Sequence, residues 1–481
     1  MKIKKILIAN RGEIARRIIR TCTKMAIETI AIYADPDEPL PYVREASTSV
    51  HLPGTSSTNT YLDGQKIIRI AQDQGADAIH PGYGFLSENA EFAKAVEDSG
   101  LIFIGPSPES IEAMGHKIRA KKLALAANVP LIPGNTSPVQ SLDQALSEAQ
   151  SIGYPVLLKA AAGGGGKGMR TIRSDKEMKE MYDRVKSEAK SSFGDEEVFI
   201  EKYLEDPKHV EIQLFGDQQG NYVHLFERDC SIQRRHQKVI EEAPCATIRS
   251  STRQKMGKAA IRLAQEVGYF SSGTVEFLMD RDQNFYFLEM NTRLQVEHPV
   301  TELITGTDLV KWQILVAEGK PLPRSQDELR IDGHAIELRL YAEDYLDNFS
   351  PSPGRIDHMR FPEDPSIRLD MGFEAGQEVT LYFDPMIGKI IGHAEDRERC
   401  IRKMQEWLKK TLVTGIDTTI PFGQYVLSSP DFQSGDYAIT YYADLEQEDL
   451  ESAEKEKGET AAAFAHWLLE KEKGEAYLLG E

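Results

Sequence analysis

The chain has 481 residues, 41% of them hydrophobic and 28% charged, with a formal net charge of −19. A chain this long divides into roughly two to four domains with large buried cores, and its acidic balance argues against binding nucleic acid over the whole surface. No apolar run approaches a membrane span, and Cys22, Cys230, Cys245 and Cys400 stand far apart with no Cys-x-x-Cys, which reads as free thiols in a reducing cytoplasm.

The first residues are basic, but their apolar part is short and runs straight into Asn10 and Arg11, so they read as a strand and not a signal peptide. Lys5–Ala9 is predicted as that strand, Gly12–Cys22 as a helix and Thr29–Tyr33 as a second strand, the opening of a doubly wound α/β domain. Asp35 sits where a ribose-binding acid would belong in a dinucleotide fold. The turn Asn10-Arg-Gly-Glu-Ile-Ala15 nevertheless carries one glycine and lacks Gly-x-Gly-x-x-Gly, which speaks against that ligand. Next, Ala78-Ile-His-Pro-Gly-Tyr-Gly-Phe-Leu-Ser-Glu-Asn89 is a strand entering a Pro/Gly turn, with Ser87 placed to cap a helix from Glu88. Ligands collect at such carboxyl ends in open α/β sheets, although many such turns are only structural. Leu101–Gly105 reads as a further strand. From Lys117 a helix sets Ala120, Leu123, Ala124 and Ala127 on one face.

The stretch from Gly153 to Arg173 predicts a strand, a glycine loop and a second strand. Gly163, Gly165 and Gly168 match Gly-x-Gly-x-x-Gly, but a Rossmann loop opens a helix. A Walker loop is also ruled out, because position 161 is Ala and Lys167 is followed by Gly168. Consecutive glycines Gly163, Gly164, Gly165 and Gly166 flanked by Lys159 and Lys167 suit a lid whose backbone N–H groups wrap phosphates. Asp175–Ser191 reads as a charged, solvent-facing helix, and Glu197–Leu204 as a strand.

His209, Glu211 and Gln213 then alternate along a strand. Arg228, Arg234, Arg235, His236 and Lys238 crowd one segment of an acidic protein and read as a small-anion site. They lack the interleaved aromatics of a nucleic-acid patch. Gly273–Met279 and Phe285–Leu288 read as paired strands around the turn Asp280–Asn284. Alternation would put Phe285, Phe287, Glu289, Asn291, Arg293, Gln295 and Glu297 on one face. If Asp280 pairs with Phe285, Glu276 falls opposite Glu289. Like charges so placed destabilise a hairpin unless a cation lies between them, and Mg²⁺ is held by one or two carboxylates plus substrate phosphates. An ion-paired surface hairpin is the alternative. After Pro323 the sequence restarts as an α+β region: Gly333–Ala342 alternates like a strand with Arg339 among apolar neighbours, Thr380–Phe383 and Gly388–Gly392 continue it, and Arg397–Leu412 is a helix. The residues 446–481 form an acidic tail, read as mobile apart from a short helix at Ala461–Glu470.

Together Ile8-Ala-Asn-Arg-Gly-Glu-Ile-Ala15, His80–Asn89, Lys159 with its glycine loop, Glu227–Lys238 and Glu289–Glu302 resemble the biotin carboxylases, a family of ATP-grasp ligases. The resemblance implies a fold of mixed α/β and α+β class in three parts. These are an N-terminal doubly wound domain at 1–114, an ATP-grasp domain at 115–330 whose lid spans about 131–204, and a C-terminal α+β domain at 331–445.

The resemblance also implies roles. Lys117 and Lys159 would contact ATP phosphates with Gly163–Gly168 closing over them. Glu201, Lys202 and Leu204 would hold adenine, largely through backbone, and His209, Gln233 and His236 would line the nucleotide pocket. Glu276, Glu289 and Asn291 would bind Mg²⁺ or Mn²⁺. Lys238, Arg293, Gln295 and Val296 would hold bicarbonate, Glu297 would be the base, Arg339 would act on biotin, and Tyr83 would face the same cavity. The implied activity is ATP- and bicarbonate-dependent carboxylation of biotin by a homodimer. Partners would be a biotin carboxyl carrier protein and a carboxyltransferase, because the carrier's Ala-Met-Lys-Met turn does not occur in this sequence. Lys24 stands where relatives often place an acid near the dimer contact of residues like Arg17 and Arg20, which leaves the dimer geometry open. Another ATP-grasp ligase, forming carbamoyl phosphate, and a non-catalytic ATP-sensing protein remain as alternatives.

Overall fold

The computed structural model describes residues 2–135, 137–160, 169–193, 196–234, 237–445 and 450. The glycine loop Gly163–Gly168, Arg235, His236 and the tail apart from Leu450 lie outside the described residues.

The N-terminal part is a five-stranded parallel sheet in the order Thr48–Leu52, Glu28–Ala34, Lys5–Ile8, Ala78–His80, Ile102–Phe103. Its central strands Lys5–Ile8 and Ala78–His80 are buried on both sides, as the middle of a parallel sheet requires, and the edge strand Thr48–Leu52 is largely exposed. Ile6 and Ile8 pack with Ile14 and Ile18 of the helix Gly12–Lys24. Leu7 and Ala9 pack on the other side with Ile67, Ala71, Phe92 and Val96. The strand order reverses between Lys5–Ile8 and Ala78–His80, so a crevice opens at their carboxyl ends. Asn10 Nδ2 closes its floor by donating to the carbonyls of Pro81 and Tyr83, each at 2.7 Å. The helix after Ser87 starts later than expected: Asn89 caps Ala90–Asp98 by accepting from the Phe92 amide, and Ser87 makes no cap.

An eight-stranded sheet forms the body of the molecule. Its order is Phe285–Asn291, Ser271–Met279, Lys208–Gly216, Tyr222–Arg234, Gln237–Ala243, His334–Tyr341, Met386–Ala394, Ile367–Met371. It runs unbroken across residue 330, because Gln237–Ala243 bonds to His334–Tyr341. One side of its first strands, with Val210, Ile212, Leu214, Val275 and Phe277, packs against the helices Ser250–Glu266 and Lys117–Ala126. A separate three-stranded sheet, Met169–Ile172, Val156–Ala160, Val198–Lys202, has its own core. The helix Asp175–Phe193 supplies Met178, Tyr182 and Val185 to that core, so it is amphipathic and not wholly solvent-facing. Leu381 and Tyr382, expected in a strand, are exposed in a turn between Glu378–Val379 and Met386–Ala394.

Candidate active site

The hairpin Ser271–Met279/Phe285–Asn291 corrects the predicted register. Met279, not Asp280, pairs with Phe285, and a bulge between Phe277 and Glu276 then restores Glu276 opposite Glu289. The bulge also overturns the single shared face. Phe285 and Phe287 join the apolar core together with Met290, while Glu289 and Asn291 turn to the other side. A one-residue insertion exchanges faces because the side-chain period is two.

On that other side Glu276 meets the alternating set of the neighbouring strand. His209 Nε2 lies 3.1 Å from Glu276 and 3.7 Å from Glu211. Burial works against the charged ring, but Glu276 and Glu211 outweigh it and hold the His209 pKa up at about 9. Lys238 Nζ sits among three carboxylates: Glu211 at 2.5 Å, Glu276 at 3.0 Å and Glu297 at 2.7 Å. All three are buried. Burial alone would raise a carboxyl pKa, yet Lys238 and further cations keep all three below the ordinary value. Glu297 is thus ionised, with its second oxygen 2.9 Å from Arg339. Arg339 also donates through Nε to Glu241 at 2.5 Å, and Glu241 is pushed up to about 7 by burial and the Glu297 charge.

The predicted basic cluster does not form one anion surface. Arg228 is fully buried and gives its donors to Glu211, Gln213, Thr301 and Thr274. Arg234 points to the carbonyls of Asn348 and Phe349. Of the described basic residues in that segment, Lys238 alone contacts all three of Glu211, Glu276 and Glu297. The remaining expected bicarbonate residues form a tight loop beside it. Arg293 bonds to Glu88, Gln295 and Asn291, and Gln295 donates to Glu276 at 3.1 Å. Val296 gives its carbonyl to Lys389 Nζ at 2.8 Å. Glu88 brings the His80–Asn89 turn onto this loop. Tyr83 itself bonds to Glu13 and lies 3.9 Å from the Met386 sulfur.

Two of the three expected metal residues lie side by side. Glu276 and Glu289 are cross-strand neighbours. Glu289 has no cationic partner within salt-bridge distance among the described residues, and its pKa is raised by burial and by the Glu276 charge. Lys238 and His209 already answer Glu276, so of the two it is Glu289 whose charge an oxygen-preferring ion such as Mg²⁺ or Mn²⁺ would balance. Asn291 fits less directly, since its NH₂ donates to Glu276 and its oxygen accepts from Arg293.

The expected nucleotide residues divide between the eight-stranded sheet and the three-stranded sheet. Gln233 Nε2 bonds His209 Nδ1 at 3.1 Å. Glu201 pairs with Lys121 at 2.7 Å and with Lys159. Lys117 adds positive charge near Lys159 and is exposed. Lys202 turns away: its amide donates to Pro133 and its Nζ to the carbonyls of Gly153 and Tyr154. Leu204 follows in the loop after that strand. Sequence reasoning missed Glu211 and Glu241 as parts of the site, and read Arg228 as an anion ligand instead of a partner of Glu211. The signal for Glu211 was its alternation with His209; Glu241 gave none, standing beside Glu242 with nothing to tell the two acids apart.

Comparisons with known proteins identify the family. Residues 2–111 match the family described as biotin carboxylase, N-terminal domain, 116–325 the carbamoyl-phosphate synthase L chain, ATP binding domain, and 337–444 the biotin carboxylase C-terminal domain. The chain is 49% identical over 438 residues to a biotin carboxylase of Halalkalibacterium halodurans, covering 91% of this chain and 97% of that one. It is 46% identical over 473 residues to the alpha subunit of mouse mitochondrial methylcrotonoyl-CoA carboxylase, covering 98% of this chain but 66% of the mouse protein's length. Among solved structures, the biotin carboxylase domain dimer of Hydrogenobacter thermophilus 2-oxoglutarate carboxylase, in complex with MgADP, ADP and bicarbonate, matches with a TM-score of 0.84 at 43% identity. That match covers 92% of this chain and 98% of the other. Matched by biotin carboxylase descriptions at both ends, and 49% identical to a biotin carboxylase over nearly all of both chains, the chain belongs to the biotin carboxylase family of ATP-dependent ligases.

Proposed function

We propose that this protein carboxylates biotin, using bicarbonate and ATP, as the first half-reaction of a biotin-dependent carboxylase. The observation that carries this reading is Glu297, a buried carboxylate kept ionised by Lys238 at 2.7 Å and Arg339 at 2.9 Å. Such a group is ready to take the bicarbonate proton. Lys238 and Arg293, with Gln295 and the Val296 amide, hold bicarbonate and the carbonate formed from it. Carbonate then attacks the γ-phosphorus of ATP, releasing ADP and giving carboxyphosphate. Lys117 and Lys159 carry phosphate charge, and Glu201 to Leu204, His209 and Gln233 line the nucleotide pocket. Gly163–Gly168 and His236, outside the described residues, keep their places in this proposal through the family resemblance alone. Mg²⁺ or Mn²⁺ held by Glu276 and Glu289, with Asn291 beside them, would neutralise charge on the phosphates. Carboxyphosphate breaks to CO₂ and phosphate, phosphate takes the ureido proton of biotin, and Arg339 stabilises the resulting enolate, which bonds to CO₂ near Tyr83.

Biotin arrives on a separate carrier polypeptide, and a carboxyltransferase uses the product. The protein works as a homodimer in the cytoplasm. Four buried free thiols support that compartment, and among the described residues no helix is long and apolar enough to cross a membrane. The test is ATP cleavage by the pure protein with Mg²⁺, omitting bicarbonate and free biotin in turn. Turnover that needs both supports the reading. Cleavage indifferent to bicarbonate, or ATP binding without cleavage, contradicts it. Streptavidin should find no covalent biotin on this chain after expression with a biotin ligase.

A further inference from the structure

We propose that Lys389 is a positioning residue for the catalytic loop Gln295–His298, acting through the Val296 carbonyl; this rests on the function proposed above. Lys389 is fully buried on the strand Met386–Ala394, directly opposite Arg339 in the sheet register. The two neighbours take hold of consecutive residues. Arg339 grips the Glu297 carboxylate at 2.9 Å, and Lys389 Nζ donates to the Val296 carbonyl at 2.8 Å.

The preceding peptide is fixed as well, because the Gln295 carbonyl accepts from the His298 amide at 3.3 Å and lies 2.8 Å from its Nδ1. With both peptide planes around Val296 held, the direction of the Val296 N–H and of the Glu297 Cα–Cβ bond is set. Lys389 is itself anchored across the molecule by Glu13 at 3.1 Å, from the first helix of the parallel sheet. That same Glu13 oxygen accepts from Tyr83. One ammonium thus joins the N-terminal crevice, the C-terminal strand and the loop bearing the base. Glu337, two positions from Arg339 on its strand, is buried with neither oxygen hydrogen-bonded. The surroundings of Lys389 are therefore rich in carboxyl groups, and a single backbone carbonyl receives one of its donors.

The test uses the full chain. Lys389→Met alone would strand Glu13, so it is combined with Glu13→Gln, which removes both charges. The double variant should keep its thermal midpoint within a few degrees and its KM for ATP within about twofold, while kcat for bicarbonate- and biotin-dependent ATP cleavage drops roughly 30-fold, the scale of a misplaced reacting group. Lys389→Gln, which keeps an N–H donor at shorter reach, should lose roughly five- to tenfold by the same split. If the double variant does not fold, Lys389→Gln decides alone. Unchanged kcat in a folded variant overturns the inference, as does a loss that appears in KM for ATP together with the thermal midpoint. Absence of bicarbonate-dependent cleavage in the unsubstituted protein would instead sink the proposed function, and this inference with it.

Discussion

The strand Lys208–Gly216 is buried along all nine of its residues, yet between His209 and Leu214 its two sides differ in chemistry. Val210, Ile212 and Leu214 face helices and fill a core. His209, Glu211 and Gln213 face a network of ions in which each charge answers another. The first side stabilises by removing apolar area from water, about 25 cal/mol per Å². The second side costs desolvation for every ion, and its pairing at best offsets that cost. Stability therefore gives no reason to keep the second side charged. The polar residues His209, Glu211 and Gln213 are therefore the candidate site.

Three substitutions sharpen this contrast, in order of effect. Phe277→Ala, on the apolar side, should destabilise the fold by about 3–5 kcal/mol. Turnover per folded molecule should stay within about twofold, because Phe277 packs with Phe285 and touches no ion. Denaturant unfolding and active-site-normalised rates check both parts, and a large loss of turnover at unchanged stability would erase the distinction. Glu242 extends the test to a charge on the wrong side. Its neighbour Glu241 faces Arg339, but Glu242 turns away to His334, Arg397 and Tyr437. Burial would raise its pKa, and His334 and Arg397 instead pull it down to about 2 from 4.5. A depressed carboxyl contributes stability fully above its unfolded value and loses it as pH falls through the folded one. Glu242→Gln should therefore destabilise by on the order of 3 kcal/mol at pH 7. The gap should close as pH drops from about 4.5 to about 2. Equal stability of the two proteins at pH 7 would show that this pair is not structural. Glu289→Gln should give the smallest change, raising the Mg²⁺ or Mn²⁺ needed for half-maximal rate by roughly tenfold, about 1.4 kcal/mol. Excess metal should restore most of the rate at an unaltered thermal midpoint. Metal dependence identical to that of the unsubstituted protein would remove Glu289 from the cation site.

Much of this site was legible in the chain. The parallel strands, the glycine hairpin and the pairing of Glu276 with Glu289 follow from alternation and turn residues. The bulge was not legible, since one extra residue leaves no mark in composition, and it reversed the side on which Glu289 and Asn291 lie. Arg228 misled for a different reason. A sequence counts its charge but cannot see that Glu211 and Gln213 absorb it from the next strand. Lys389 and Glu13 meet across 376 positions and carry no local signal at all. Side chains that act through distant partners become visible only when the fold brings those partners together.

The central claim is that the charged side carries out chemistry through Glu297. Glu297→Gln tests it most directly, with kcat and thermal midpoint measured on the same preparation. The account predicts that bicarbonate- and biotin-dependent ATP cleavage falls by about 10² or more, the range of a general base, while the midpoint moves by only a few degrees because Lys238 keeps Glu211 and Glu276. Turnover close to that of the unsubstituted protein, or a loss fully explained by unfolding, would contradict it.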